Sequence, residues 1–411
     1  MFSVWAMAGA MPNRLAPSLM HTAAAVGSVA GAMPNRPAPS PTYTAVGSVD
    51  GGGVCPHCTS PCRKLARHLR LCPKLSELDE MRRLPFYAHN ANLGSDEVLA
   101  PLDFEIDPSQ RIAPPDIELV QRIIQMHESL VGTIRVEPLL PDAARSDASF
   151  AELSLAGFEK ERHRVQCEKI VQQLALLGVV GTGRCHVEIG AGSAGLTLAL
   201  ATHDESHADS HLMLDQYQPR KKHDQQLREL GARFARHKIG LEHLGLRELQ
   251  HLRAGEGEAL TVVSKHLCGE AADFALRAVA RCSKPVDAFT LASCCHHRCE
   301  WLSYPNRGLF ERAGFSRADF GRICRMSSWA VNAPEQDRAV AGPDGEVLRA
   351  ADGRELRSQE LGRLGKELLD FGRVLYLRGV GYDAWIAEYV RHDVTPENRL
   401  LVARPAAGRG S

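Results

Sequence analysis

The segment "HVEIGAGSAGLT", His186 to Thr197, constrains the fold more than any other in this chain. A strand-like run ends at Gly190, Gly192 and Gly195, and a helix-forming run follows at once. Glycines at such a junction allow a tight turn and let the backbone approach a bound cofactor. Further apolar runs of strand length follow in "HLMLD", "ALTVVSK" and "DAFTLAS", and "YDAWIAEYV" and "NRLLVAR" close the series. Helical spacing appears in "AGFEKERHRVQCEKIVQQLALLG", Gln216–His237, Glu270–Cys282 and Gln359–Phe371. Strands alternating with helices from about Phe150 predict an α/β domain over residues 150–405, with a doubly wound, mostly parallel sheet. The acidic, Gly-rich piece from Asn332 to Arg357 is expected to be a loop or insertion, and residues 406–411 a tail.

Upstream the texture changes. Residues 1–53 are rich in Ala, Gly, Pro and Ser, and "AGAMPNRLAPS" (Ala8–Ser18) returns as "AGAMPNRPAPS" (Ala30–Ser40). Two copies without apolar periodicity cannot stack a core, so disorder is expected. A Cys/His segment occupies residues 54–75, and residues 76–149 form a linker and extension carrying "LPFYAHNANLGSD". Lys and Arg equal Asp and Glu at 49 each, so a nucleic-acid contact must come from a local basic face. Twelve cysteines, several grouped at short gaps, fit reduced thiols or metal ligands better than a secreted disulfide framework. No apolar run approaches the ~20 residues of a membrane span, and "MFSVWAMAGA" lacks the pattern of a signal peptide. The expectation is an intracellular protein of nucleus or cytoplasm, not secreted, without an obligate protein partner.

Glu188 lies in the first strand, two residues before Gly190, and Asp215 ends the next one. A carboxylate at the second position can take ribose hydroxyls. An acid inside the glycine motif suits S-adenosylmethionine, whose amino group and sulfonium are cationic, better than a dinucleotide's pyrophosphate. Gly190, Ala191 and Gly192 would line that site. In "CPHCTSPCRKLARHLRLC", Cys55, Cys58, His68 and Cys72 have the spacing of a tetrahedral zinc site, with His57 and Cys62 as spares. The same module carries Arg63, Lys64, Arg67 and Arg70 and no acid between Val54 and Leu75, a pattern for phosphate contact.

"SKHLCGEAAD" and "LASCCHHRCEW" each follow a strand candidate, at the strand ends where α/β sheets bind ligands. Lys265, His266, His296 and His297 are thus expected as one titratable wall of an active site. Singly, His296 or His297 is as well read as a satisfied core histidine. Neighbouring residues on extended backbone point to opposite sides, so Cys294 and Cys295 are expected to be poor joint ligands of one ion.

These blocks resemble the eukaryotic tRNA 2′-O-methyltransferases that modify the fourth nucleotide of the acceptor stem. The resemblance is carried by the Cys/His finger, "LPFYAHNANLGSD", "VEIGAG", "LDQYQPRKKHD", "KHLCGEAADFAL", "CCHHRCEW", "LLDFGRVLYL" and "ENRLLVAR". It implies a Rossmann-type class I methyltransferase using S-adenosylmethionine, a small N-terminal zinc finger, and tRNA as substrate. Three departures stand out. A further Cys/His finger is usual upstream, Ala194 replaces a customary glycine, and "KIGLEHLGL" has Gly240, His243 and Gly245 where aspartates are common. The proton of the ribose hydroxyl would pass to Lys265, His266, His296 or His297, and Arg220, Lys221 and Lys222 would hold RNA phosphate. Rival readings are a methyltransferase of another RNA or of protein, and a catalytically inactive RNA-binding module.

Overall fold

The computed structural model describes residues 53–55, 57–62, 68–69, 72–94, 116–139, 160–217, 219, 222–331, 336–342, 345–350 and 353–407. The expected disorder of residues 1–53 lies almost wholly outside this set. Two compact units are separable, Met1–Arg70 and Leu71–Ser411. In the first, β1 (Gly53–Val54) pairs antiparallel with β2 (Pro61–Cys62).

The second unit is a mixed α/β structure built on eight strands. These are β3 (Val136–Glu137), β4 (Cys185–Ile189), β5 (Ser210–Asp215), β6 (Arg233–Lys238), β7 (Leu260–Cys268), β8 (Ala288–Cys294), β9 (Tyr382–Glu388) and β10 (Arg399–Pro405). Their order is β3-β9-β10-β8-β7-β4-β5-β6. All neighbours run parallel except where β10 meets β8 and β9. The strands read from apolar runs are all present, and the sheet is mostly parallel as expected.

Successive residues of the central strands feed opposite cores, because side chains alternate across a strand. Leu212, Leu214, Val262 and Leu291 pack on one face with α6 (Leu246–Gly255), α7 (Glu270–Ala280) and the end of α10 (Ser358–Gly379). Met213, Val263 and Ala292 pack on the other with α3 (Glu161–Leu176) and α4 (Gly195–His203). A third core joins the start of α10 to α2 (Ile117–Leu130), α8 (Arg307–Arg312) and α9 (Arg317–Met326). Among the described residues, no helix is long and apolar enough to cross a membrane.

One expected element is corrected. The helix read over Gln216–His237 is only α5 (Asp224–Glu229), and β6 occupies the end of that range. Gly231 at φ 72° stops the helix. "RFARHK" then pairs with β5 alone, and its basic residues suit the sheet edge. The stretch read as linker also contributes α1 (Pro73–Arg82), α2 and the edge strand β3. "LPFYAHNAN" packs onto Gly240–Gly245: buried Asn92 donates to the carbonyls of Leu241 and Leu244 at 2.7 and 2.9 Å. His243, one of the departures from the aspartate pattern, stacks on His89 and accepts the Asn90 N–H at 3.0 Å.

Arg373 of α10 is fully buried. It donates to Asp273 of α7 at 2.9 Å and to Asp370 one turn away at 3.1 Å. Removing one member of a buried ion pair leaves uncompensated charge, typically worth about 3–5 kcal/mol. Arg373→Ala is expected to lower unfolding stability by that order. Urea titration checks it, and a loss within about 0.5 kcal/mol, the ordinary surface-substitution effect, would contradict the assignment.

Candidate active site

The turn after β4 is built by backbone geometry first. Gly190 and Gly192 take left-handed φ values of 69° and 49°, where glycine carries no steric cost. Ala194 is also left-handed, at φ 69°, and is the N-cap of α4 with no side chain to cap it. Glu188 fills that role from the neighbouring strand. Its Oε2 accepts the Thr197 N–H at 3.0 Å and the Thr197 hydroxyl at 2.5 Å. The carboxylate thus satisfies one of the helix's free N-terminal donors. Asp215 holds the loop from the other side. Its two oxygens accept the N–H groups of Gly192 and Tyr217, each at 2.8 Å. Arg236 donates to the Gly192 carbonyl at 2.8 Å and pairs with Asp224 at 2.7 Å.

A cavity of about 550 Å³ opens against this loop. Glu188, Gly190, Ala191, Gly192, Lys222, Lys265 and His266 line it, together with His163. Asp215, bonded to the Gly192 N–H of the loop, is not in that lining. Lys265 and His266 sit at a β-bulge: β7 spends three residues from Ser264 to Leu267 while β8 spends two from Leu291 to Ser293. Bulges re-aim side chains at strand ends. Lys265 Nζ lies 3.3 Å from His163 Nδ1, and His266 Nε2 lies 3.1 Å from Gln166 Oε1. Burial, reinforced by the Lys265 charge, pulls His266 down to about 4. It is therefore neutral near pH 7.

His296 faces a second cavity of about 390 Å³, with Ser293, Lys366, Asp370, Arg363 and Arg399. Here the expectation of one histidine–lysine wall is corrected: Lys265 and His266 line one cavity, His296 the other. His297 is exposed on the single 3-10 turn His296–Arg298. His296 is buried, with Nε2 2.9 Å from Asp370 Oδ1 and Nδ1 enclosed without a hydrogen bond. Burial alone would raise the Asp370 carboxyl, yet its close pairing with His296, with Arg373 beside it, holds it below the usual carboxylate range. Ser293 also donates to Asp370, at 3.0 Å. Asp370 and Arg373 were not singled out from sequence, although both lie in the "LLDFGRVLYL" block.

The stereochemical argument against Cys294 and Cys295 as joint ligands fails for a local reason. Cys295 is not extended: φ 50° and ψ 45° place it in the left-handed region. The two thiols therefore converge, and Cys268 joins them, its Sγ 3.2 Å from Cys294 Sγ. Cys294's hydrogen bond pulls the Cys268 thiol down to about 6. Of the expected finger ligands, Cys55, Cys58 and His68 lie in the first unit and Cys72 in the second; Cys58 Sγ is 3.2 Å from His68 Nε2. Arg63, Lys64, Arg67, Arg70, Arg220 and Lys221 lie outside the described residues, and Lys222 reaches the glycine-loop cavity.

The family model described as "Methyltransferase TRM13" matches residues 165–404, which hold the glycine loop, most of the lining of both cavities and the strand ends. The chain belongs to this methyltransferase family. Among curated TRM13 proteins, the chain is 26% identical to the mouse "tRNA:m(4)X modification enzyme TRM13 homolog", over 84% of this chain and 83% of the mouse protein. It is 28% identical to the Schizosaccharomyces pombe "tRNA:m(4)X modification enzyme TRM13", over 59% of this chain and 68% of that one. The Saccharomyces cerevisiae protein of the same description is 23% identical, over 82% and 81%.

Burial raises Glu188 from the ordinary 4.5 to about 7, against the opposing pull of Thr197 and Lys265. The folded state thus binds the extra proton between those values. The associated stability is present below about 4.5 and is lost as pH rises through about 7. Glu188→Gln keeps an oxygen for Thr197 and stays neutral. Between pH 5 and pH 8 the variant is expected to gain about 1–3 kcal/mol relative to its parent. Urea titrations at both pH values check the sign, and equal pH slopes would contradict the shift.

Proposed function

We propose that this chain transfers a methyl group from S-adenosylmethionine to the ribose 2′-hydroxyl of the fourth nucleotide of a tRNA acceptor stem. The carrying observation is the glycine-loop cavity at the strand ends, lined by Glu188 and Lys265, in a methyltransferase-family chain. The curated relatives are described as tRNA modification enzymes, and the matching blocks extend that reading to this chain. The fold is proposed as a Rossmann-type class I methyltransferase, and the Cys55–Cys58–His68–Cys72 cluster as a zinc finger. Three thiols and an imidazole at this spacing along the chain fit a tetrahedral zinc ion.

The cavity fits the cofactor in size and chemistry. Its 550 Å³ lies within the range for cofactor sites. A Cβ added at Gly192 would meet nothing within 4 Å, so that backbone is open. When bound, S-adenosylmethionine supplies an electrophilic methyl on a sulfonium. Gly190, Ala191 and Gly192 would present backbone to it, and Glu188 would face its cationic groups. Asp215 would accept ribose hydroxyls with lone pairs left free by its two backbone contacts.

The acceptor hydroxyl is assigned to His296. Asp370 accepts the hydrogen bond of His296 Nε2–H and so orients the ring, the logic of a carboxylate–histidine pair; Nδ1 is enclosed here, and bound RNA would have to open it for the hydroxyl to reach its lone pair. His266, held near 4 by burial, is a weak base near neutrality and serves with Lys265 to shape the cofactor wall. Asp370 is a positioning residue. Arg363 and Arg399 beside His296 would meet RNA phosphate, together with Arg63, Lys64, Arg67, Arg70, Arg220 and Lys222.

Single-turnover methylation of tRNA with labelled donor tests these roles. With activity corrected for folded fraction, His296→Ala is expected to lower the rate about 10²–10⁴-fold while donor binding persists. Asp215→Ala is expected to weaken donor binding by about 1–3 kcal/mol in calorimetry. Near-parental turnover in the first variant, or unchanged binding in the second, would overturn the corresponding role.

A further inference from the structure

We propose that Cys268, Cys294 and Cys295 form a second zinc site, at the ends of β7 and β8. Cys268 and Cys294 are register partners on adjacent parallel strands, and their sulfurs are 3.2 Å apart. All three sulfurs lie within 4.8 Å of one another. Thiolates ~2.3 Å from a tetrahedral zinc stand about 3.8 Å apart, so small side-chain rotations place an ion among them.

The backbone here accepts unfavourable conformations to bring the sulfurs together. A non-glycine residue in the left-handed region carries a steric penalty, and Cys295 is held there at φ 50°. In an extended conformation its sulfur would point away from Cys294. Gly269, directly after Cys268, has φ 51°, and its N–H donates to the Cys294 carbonyl at 3.0 Å. A Cβ there would fall 2.6 Å from the Arg298 carbonyl oxygen. The two strand ends are thus closed around the sulfurs.

The chemistry selects the ligand. Three soft sulfur donors favour zinc over the oxygen-preferring magnesium and calcium. Cys294 is buried while Cys268 and Cys295 are half-buried, so the ion is shielded on one side and reachable on the other. Three protein ligands leave the fourth position to water or to an incoming donor. Binding displaces thiol protons to solvent and needs no oxidant. Lys265 and His266 precede Cys268 by three and two residues, and Ser293 and His296 flank the cysteine pair. An ion here would pin the β7 bulge and the His296 turn, and with them the walls of both cavities.

The test uses the full chain, purified in reductant without a metal-affinity step. Metal content by plasma mass spectrometry is measured for the parent, Cys268→Ser and Cys295→Ala. Each variant is expected to hold about one zinc fewer per chain than the parent, whatever the Cys55–Cys72 cluster holds. Independently of folding in the variants, alkylation of Cys295 in the parent, followed by peptide mass spectrometry, is expected to slow at least tenfold with zinc compared with chelator-treated protein. The proposal is overturned if metal content is unchanged in folded Cys268→Ser. It is equally overturned if Cys295 alkylates at the same rate with and without zinc, or if the reduced preparation carries a Cys268–Cys294 disulfide instead of metal.

Discussion

The fully buried guanidinium of Arg373 is the interaction on which the site depends. It pairs with Asp273 and Asp370, and its Nη2 lies 3.4 Å from the Gly269 carbonyl and 3.1 Å from Cys299 Sγ. Through these groups one side chain ties α7 to α10 and both to the turns that follow β7 and β8. A buried charge is costly unless every donor finds a partner, so its geometry leaves little freedom to the groups around it. Asp370 inherits that rigidity and passes it to His296. The histidine's orientation is therefore set by an ion pair inside the fold.

Loop and strand ends obey a related economy. Ala194 gives α4 no side-chain cap, and Glu188 supplies it from the neighbouring strand. The same carboxylate lines the cavity, so one group stabilises the helix and gives the cavity a proton-dependent charge. Asp215 likewise fixes the loop by accepting from Gly192. Residues that look purely cofactor-directed in sequence are also the struts of the loop. Lys265 and His266 gain their direction from a one-residue bulge rather than from strand alternation.

Much of the sheet was legible because buried parallel strands read as short apolar runs and glycines mark the first turn. β6 was not, since "RFARHK" is an edge strand with basic residues, and its composition merges with the polar helix before it. The glycine loop was legible because the order of strand, glycines and helix alone constrains it. The Asp370–His296 pair was not, because its members are 74 residues apart and meet only through tertiary packing. The convergence of Cys294 and Cys295 was misread, since alternation assumes an extended backbone and Cys295 is left-handed. The split of the titratable cluster between two cavities has the same origin: sequence places residues at strand ends without saying which way a bulge or turn aims them.

The central claim is that this scaffold directs a methyl group to one ribose oxygen. The most direct measurement is mass spectrometry of nuclease-digested tRNA after incubation with the purified chain and isotopically labelled S-adenosylmethionine. The account predicts label on a single 2′-O-methylated nucleotide, the fourth of the acceptor stem, in a fragment containing the 5′ end. Label on a base, at another position, or on no RNA while the cofactor still binds would contradict it.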